Sequence, residues 1–291
     1  KRMDRLYERV SFGISRLITR EYSTSFSSAV GLLPGDLREA IFSIYGFVRL
    51  ADEIVDTFHE HDKSLLLEKF EGDYDDARER GISLNPVLHA FQLTVKRYGI
   101  EDAMIRAFLK SMKADLVKQE YLTDAELKEY IYGSADVVGL MCLKVFVRGN
   151  QALYEELEVP AMRLGTAFQK VNFLRDLRSD TLKLGRSYFP GYDENNFTDQ
   201  DRDELVRDIR ADFDSAYAGI RRLPQDVGAA VLVAWYYYLD LLRKISRTPA
   251  KILADRRIRV SNGRKLLLLW RGLIHWKLKV AMTPAPSIPK P

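Results

Sequence analysis

One stretch limits what this chain can become: Ile44-Tyr-Gly-Phe-Val-Arg-Leu-Ala-Asp-Glu-Ile-Val-Asp56. Read as a helix, it sets Tyr45, Arg49, Asp52 and Asp56 on one line, because residues three and four apart share a face. Most other positions are apolar, among them Ile44, Phe47, Val48, Leu50, Ala51, Ile54 and Val55. A surface helix carries an apolar stripe on a polar body. This one carries a charged stripe on an apolar body. Such a helix is expected inside the molecule, with its polar line facing a charged group other than water.

The pattern returns about 120 residues later in Leu164-Gly-Thr-Ala-Phe-Gln-Lys-Val-Asn-Phe-Leu-Arg-Asp-Leu-Arg-Ser-Asp180. Gly165, Gln169, Asn172, Asp176 and Asp180 fall along one line, and apolar residues take much of the rest. Two carboxylates at i,i+4 repel by a few tenths of a kcal/mol on an exposed helix, and by more once desolvated. A single Asp-x-x-x-Asp is ordinarily a solvated helix face. Two of them, each on an apolar helix with an arginine beside it, make sense when cations sit between. Asp52, Asp56, Asp176 and Asp180 are then the carboxylate ligands, and Asn172 is a neutral oxygen donor. Oxygen ligands without histidine or cysteine point to Mg²⁺, or to Mn²⁺, rather than zinc. Arg49 and Arg175 lie one turn or one residue from these acids, and a guanidinium there can make bidentate contacts to an oxyanion. The simpler alternative is that each arginine pairs with its neighbouring aspartate.

Asp52-Glu-Ile-Val-Asp56 and Asn172-Phe-Leu-Arg-Asp176-Leu-Arg-Ser-Asp180 resemble the two aspartate-rich motifs of the phytoene/squalene synthase family, whose members join prenyl diphosphates head to head. The resemblance extends from about Tyr22 to about Arg264. Its most specific part is the second motif followed by Gly185-Arg-Ser-Tyr-Phe-Pro190. It implies an all-α, single-domain helical bundle of the isoprenoid synthase type with a central cavity, and Mg²⁺-assisted ionisation of a diphosphate. It implies catalytic roles for Tyr45, Arg49, Tyr130, Arg175 and Tyr238. Tyr130 lies in Glu129-Tyr-Ile-Tyr-Gly133, similar to the family's Tyr-x-Tyr-Gly segment. Tyr238 lies in Trp235-Tyr-Tyr-Tyr-Leu239, where Tyr236 and Tyr237 are alternatives. Diphosphate contacts are implied for Ser23 and Ser25, for Gln169, Arg186 and Tyr188, and for Arg257 in Arg256-Arg-Ile-Arg-Val260. Ala135, Val138, Gly139 and Leu143 are implied as walls of the tail cavity. On residue chemistry alone, the tyrosines read more readily as core, and the basic run reads equally as a solvated surface.

The chain departs from the family pattern in three places. Gly133-Ser-Ala-Asp136 stands where Gly-Val-Ala-Gly is common, and Asp136 in an apolar wall is costly unless it is paired or turned away. The spacing from Asp180 to Arg186 is one residue longer than in many members. Thr24 occupies a position that is often basic. The acid ligands are untouched, so these changes bear on which substrate is used.

The first expectation is condensation of two geranylgeranyl diphosphates to phytoene through a cyclopropylcarbinyl (prephytoene) diphosphate. The alternative is a dehydrosqualene, squalene or presqualene diphosphate synthase using farnesyl diphosphate. Squalene formation ends in a nicotinamide-dependent reduction, and no glycine-rich nucleotide motif is visible, so no nicotinamide cofactor is expected. A terpene cyclase is disfavoured by the paired motifs. A non-catalytic assembly factor that has shed its acids is disfavoured by the presence of all four aspartates.

Composition agrees. With 46% hydrophobic residues, the 291-residue chain can bury a substantial core, and a net charge of +4 gives no nucleic-acid signal. No run of about 18 apolar residues suggests a membrane span. No signal peptide opens the chain, and Lys1 in place of Met leaves room for residues upstream. A cytoplasmic location is expected. The single cysteine, Cys142, excludes an internal disulfide and reads as a packed thiol. His59, His61, His89 and His275 lack metal-ligand company, and the first two read as a surface loop.

Helical periodicity dominates and no alternating strand pattern is found. Helices are expected over about 4–20, from Asp36 as a cap through the first acidic motif, over 63–80, from Asn85-Pro86 to near Gly99, and over 101–121. Thr123-Asp-Ala-Glu126 is a capping box opening a helix to about Val147. Pro160 opens the second acidic helix, and 185–197 is a loop. Helices then run from Thr198 to before Pro224, over 225–246, and from Ser261 to about Met282. A single all-α domain over 1–282 is expected, with the Pro-rich 283–291 a disordered tail. The last helix mixes Leu, Trp and basic residues. It reads as a packed bundle helix or as one lying peripherally on a bilayer.

Overall fold

Apolar residues recur at helical spacing along nearly the whole chain, and helices result. The computed structural model describes residues 2–118, 120–179, 188–192, 196–253 and 257–278. Its helices are α1 (Arg2–Tyr22), α2 (Thr24–Val30), α3 (Gly35–Asp56), α4 (Lys63–Arg80), α5 (Pro86–Tyr98) and α6 (Asp102–Val117). They continue with α7 (Asp124–Ile131), a π-helical turn (Tyr132–Asp136), α8 (Val137–Val147) and α9 (Gln151–Ser179). The last four are α10 (Asp199–Ile220), α11 (Gln225–Ser246), the short α12 (Ala250–Leu253) and α13 (Asn262–Leu278). No strand occurs among the described residues. The chain forms one all-helical bundle.

Local signals set many of the boundaries. Ser23, Asp62, Asn85, Thr123 and Thr198 cap the helices that follow, each accepting hydrogen bonds from first-turn amides that have no helical partner. Thr123–Glu126 is a reciprocal capping box, as expected. α4 and α5 stop at Gly81 and Gly99, whose φ of 73° and 63° suit a residue without Cβ.

Four boundaries differ from expectation. Asp36 is not the cap of α3; Pro34 holds that position without a side-chain bond, and Asp36 sits in the first turn facing Arg97 at 3.6 Å. α6 stops at Val117, before the expected Tyr121. The helix from Thr123 to Val147 is broken by the π turn, where the amide of Val137 bonds the carbonyl of Tyr132. Pro160 does not open the second acidic helix but lies inside α9. Its ring packs on Gly219 of α10, where a Cβ would overlap it at 2.3 Å. Tertiary packing thus seats the ring that local rules place at a helix start.

Two apolar clusters make the core. One centres on Phe47, fully buried and stacked on Phe91 at 3.9 Å, with Phe70, Tyr74 and Phe108 around it. The other surrounds Trp235, whose indole N–H donates to the carbonyl of Phe213 at 3.1 Å. Full burial of each such ring stabilises by about 1.5–3 kcal/mol. Among the described residues, one segment, Asp124–Val147, is long and apolar enough to cross a membrane. It is mostly buried against α6, α9 and α3, so its apolarity belongs to the core.

Helix direction follows from four residue pairs. Arg148, at the end of α8, feels Asp36 at the start of α3 and pairs with Asp226 at the start of α11. Gly139 of α8 lies against Ala161, and Ala135 lies against Gly165, so α8 and α9 run antiparallel. α3, α9 and α11 are therefore parallel to one another and antiparallel to α8.

Candidate active site

A cavity of about 300 Å³ lies between these helices, lined almost wholly by apolar atoms. α3 contributes Ile41, Ile44, Tyr45 and Val48, and α9 contributes Ala161, Leu164, Gly165, Phe168 and Gln169. α11 adds Val231, Ala234 and Tyr238. Ala135, Val138, Gly139 and Leu143, the residues expected to wall a tail, all line it. So does Cys142, its thiol pushed up to about 12 by burial. Asp136, one residue past Ala135, does not. It turns to α9 and accepts a hydrogen bond from Thr166 Oγ1 at 2.8 Å, and burial pushes its carboxyl up to about 6.

One end of the cavity is aromatic. Tyr238 stacks on Phe168 with ring centres 3.9 Å apart, and Tyr45 stacks on Phe26 at 5.0 Å. Tyr238 and Ser23 both lie close enough to the Tyr45 hydroxyl to bear on its pKa. Burial is the main reason that the Tyr45 hydroxyl is pushed up to about 12, so it stays protonated at neutral pH. Of the three consecutive tyrosines, only Tyr238 lines the cavity; Tyr236 bonds His275 at 2.7 Å and Tyr237 is buried in the core.

Beyond this level, both parallel helices become acidic. Asp52 is one turn past Val48, and Asn172 and Asp176 are one and two turns past Gln169. Parallel direction therefore brings Asp52, Asp56, Asn172 and Asp176 to the same end of the cavity. Each side also carries its own cations. Arg49 pairs with both Asp52 and Glu53 and lies over the Tyr22 ring, 4.3 Å from its centre. Arg175 grips Asp176 through Nε at 3.1 Å to both oxygens, and Arg257 reaches the same carboxylate at 2.7 Å. The pairing of arginine with neighbouring aspartate is thus present in the structure.

Not every expected residue joins the cavity. Tyr130 and Tyr188 lie in a buried stack with Tyr121 and Phe173 beside it, and neither lines it. Tyr130 donates to Asp115 Oδ2 at 2.8 Å, and burial followed by that carboxylate raises its pKa well above the usual tyrosine value. Gln169 lines the cavity and donates to Ser134 Oγ at 3.4 Å. Ser25 is partly buried in the first turn of α2. Asp180 and Arg186 lie outside the described residues. Sequence reasoning missed Asp115 and Glu53. Glu53 was visible at i+4 from Arg49, whereas Asp115 sits on another helix from Tyr130 and had no sequence signal.

The donor set suits a hard divalent ion. Its members are all oxygen, and Asn172 Oδ1 is buried with no hydrogen-bond partner. Among the described residues, no three acidic, histidine or cysteine side chains converge on one point. Asp52, Glu53 and Asp176 are instead paired with arginines.

A family model described as squalene/phytoene synthase matches residues 19–264, most of the chain. The chain belongs to the squalene/phytoene synthase family. Like other members, it is a prenyltransferase of the head-to-head condensing type. Relatives in this family include a phytoene synthase of Arthrospira platensis, 28% identical over 89% of this chain and 91% of the relative. Phytoene synthase 2, chloroplastic, of Solanum lycopersicum is 30% identical over 87% and 86%. Among solved structures, a dehydrosqualene synthase in complex with ligand superposes with a TM-score of 0.76 at 23% identity, over 93% of this chain and 98% of that one. A squalene synthase from Alicyclobacillus acidocaldarius gives 0.72 at 22%, over 87% and 97%. These structural likenesses establish the fold that family members share.

Proposed function

We propose that the protein condenses two geranylgeranyl diphosphates to phytoene through prephytoene diphosphate. The observation that carries this reading is the position of two acid- and arginine-bearing helix ends at one aromatic mouth of an apolar cavity. The phytoene synthase names of relatives at 28–30% identity favour the C20 substrate over farnesyl diphosphate. The reading takes 1–282 as one catalytic domain and needs no nicotinamide cofactor.

In this mechanism the prenyl tail fills the cavity, with Ala135, Val138, Gly139 and Leu143 against it. Arg49, Arg175 and Arg257 turn from their carboxylates to the diphosphate oxygens, where fork-shaped guanidinium groups bind in bidentate fashion. Ser23, Ser25 and Gln169 complete the polar surround, and the family resemblance adds Arg186 and Tyr188 as further diphosphate contacts. Asp52, Asp56, Asn172, Asp176 and Asp180 would hold Mg²⁺, which neutralises charge on the leaving diphosphate. Tyr45 remains a neutral donor. The faces of Tyr45, Phe26, Tyr238 and Phe168 stabilise the allylic cation, and the dry lining keeps water from quenching it. We assign the protein to the cytoplasm, with peripheral membrane contact because tails and product are both greasy.

Incubation of purified protein with Mg²⁺ and labelled geranylgeranyl diphosphate should yield phytoene. Asp52→Ala and Asp176→Ala should each abolish turnover with helicity unchanged. Near-normal turnover by either variant, or a hydrocarbon made only from farnesyl diphosphate, would overturn the assignment.

A further inference from the structure

α13 turns an apolar face outward. Its inner side packs on α11: Gly272 lies against Val233, and Trp276 closes over Gly228, where a Cβ would overlap the indole at 2.0 Å. The Trp276 N–H donates to the carbonyl of Gln225 at 2.9 Å, which fixes the helix on its bed. On the opposite side, Leu266, Leu267, Trp270, Ile274 and Leu278 are between 53% and 64% exposed. The spacing 267, 270, 274, 278 makes a continuous ridge on one helix face. Isolated exposed leucines are ordinary, whereas five large apolar side chains on one face mark a contact surface.

The charges around this ridge have one sign. α13 contains Arg264, Lys265, Arg271 and Lys277 and no acidic residue, and no aspartate or glutamate occurs anywhere after Asp255. Arg264 is engaged by Asp240 of α11, leaving Arg271 and Lys277 exposed beside the ridge. Neighbouring groups respond to this excess. After burial, the cations Arg271 and Arg210 pull Arg243 below the usual arginine value, and Arg259 does the same to Lys265. A second copy of the chain would bring these cations against one another with no acid to meet them.

We infer that the outer face of α13 docks on an anionic lipid bilayer. The ridge enters the boundary between headgroups and acyl chains, and Arg271 and Lys277 meet lipid phosphates. The inference rests on the greasy substrates and product of the proposed reaction. Position supports it: α13 lies directly on α11, which walls the cavity, and Lys265 reaches Thr24 of α2 at 2.8 Å, two residues from Phe26 of the lining. One helix layer, about 10 Å, therefore separates the docked face from the tail site.

Flotation with vesicles of equal parts phosphatidylglycerol and phosphatidylcholine, against phosphatidylcholine alone, tests this. The protein should float with the anionic vesicles and less so at high salt. Trp270→Glu/Ile274→Glu should weaken that binding at least tenfold with an unchanged circular dichroism spectrum, since both side chains are exposed. Arg271→Ala/Lys277→Ala should weaken it on the anionic vesicles. Absence of binding to both compositions would overturn the inference, as would equal binding by the Glu variant. So would a dimer in sedimentation equilibrium that the same substitutions dissolve while no vesicle is bound. Condensation of detergent-dispersed substrate is measured in parallel. Product without vesicle binding sinks the docking alone, and vesicle binding without product sinks the proposed reaction alone.

Discussion

Asp136 shows how one residue's surroundings set its chemistry. It follows Ala135 of the cavity wall yet points to α9, with Thr166 as its hydrogen-bond donor. Burial raises its carboxyl to about 6, so the folded state holds a proton that the unfolded chain releases near pH 4. Stability from this site is therefore full below about pH 4 and is lost as pH rises through about 6. Asp136→Asn keeps an acceptor for Thr166 and removes the buried charge. It should raise the melting temperature at pH 8, by up to about 3 kcal/mol of stability, with the gain vanishing near pH 4 in melts across that range. Tyr130→Phe removes a donor from Asp115 and should cost about 1 kcal/mol in urea unfolding.

At the scale of elements, two helices cross where side chains are nearly absent. A Cβ on Gly165 of α9 would lie 2.8 Å from the carbonyl oxygen of Ala135 and 3.0 Å from Cα of Asp136 in the π turn. The π turn supplies one wall of the cavity through Ser134 and Ala135, so the crossing also shapes the site. Gly165→Ala should push α9 from this turn, costing about 1–3 kcal/mol and lowering turnover together with stability. Thermal melts and product assays on one preparation check both. α9 also shows why Pro160 does not mark the boundary it is expected to: a proline is welcome at a helix start, and the absent side chain of Gly219 lets this one sit inside a helix.

Across the whole molecule, the two core clusters are joined by Leu32, Leu223 and Val231, which pack against both. Unfolding should therefore be a single cooperative event. Tryptophan fluorescence, dominated on unfolding by Trp235 and Trp276 of the second cluster because Trp270 is already exposed, reports that cluster and far-UV circular dichroism all helices, and their thermal transitions should coincide. The cavity spans both clusters, so its length is a property of the assembled bundle. Val138→Trp should shorten it and move product formation from geranylgeranyl toward farnesyl diphosphate, measured by competition between the two labelled substrates.

The sequence by itself determined the helical class, the caps at Asn85, Thr123 and Thr198, and the alignment of Asp52 with Asp56 and of Asn172 with Asp176. Helical period and capping are local physics, written within a few residues. Tertiary structure decided that α3 and α9 run parallel, that Tyr238 rather than Tyr236 or Tyr237 meets the cavity, and that Asp115 holds Tyr130. It also turned Asp136 away from the tail wall. These depend on which faces meet across the bundle, and that choice is made by the packing of residues far apart in the chain.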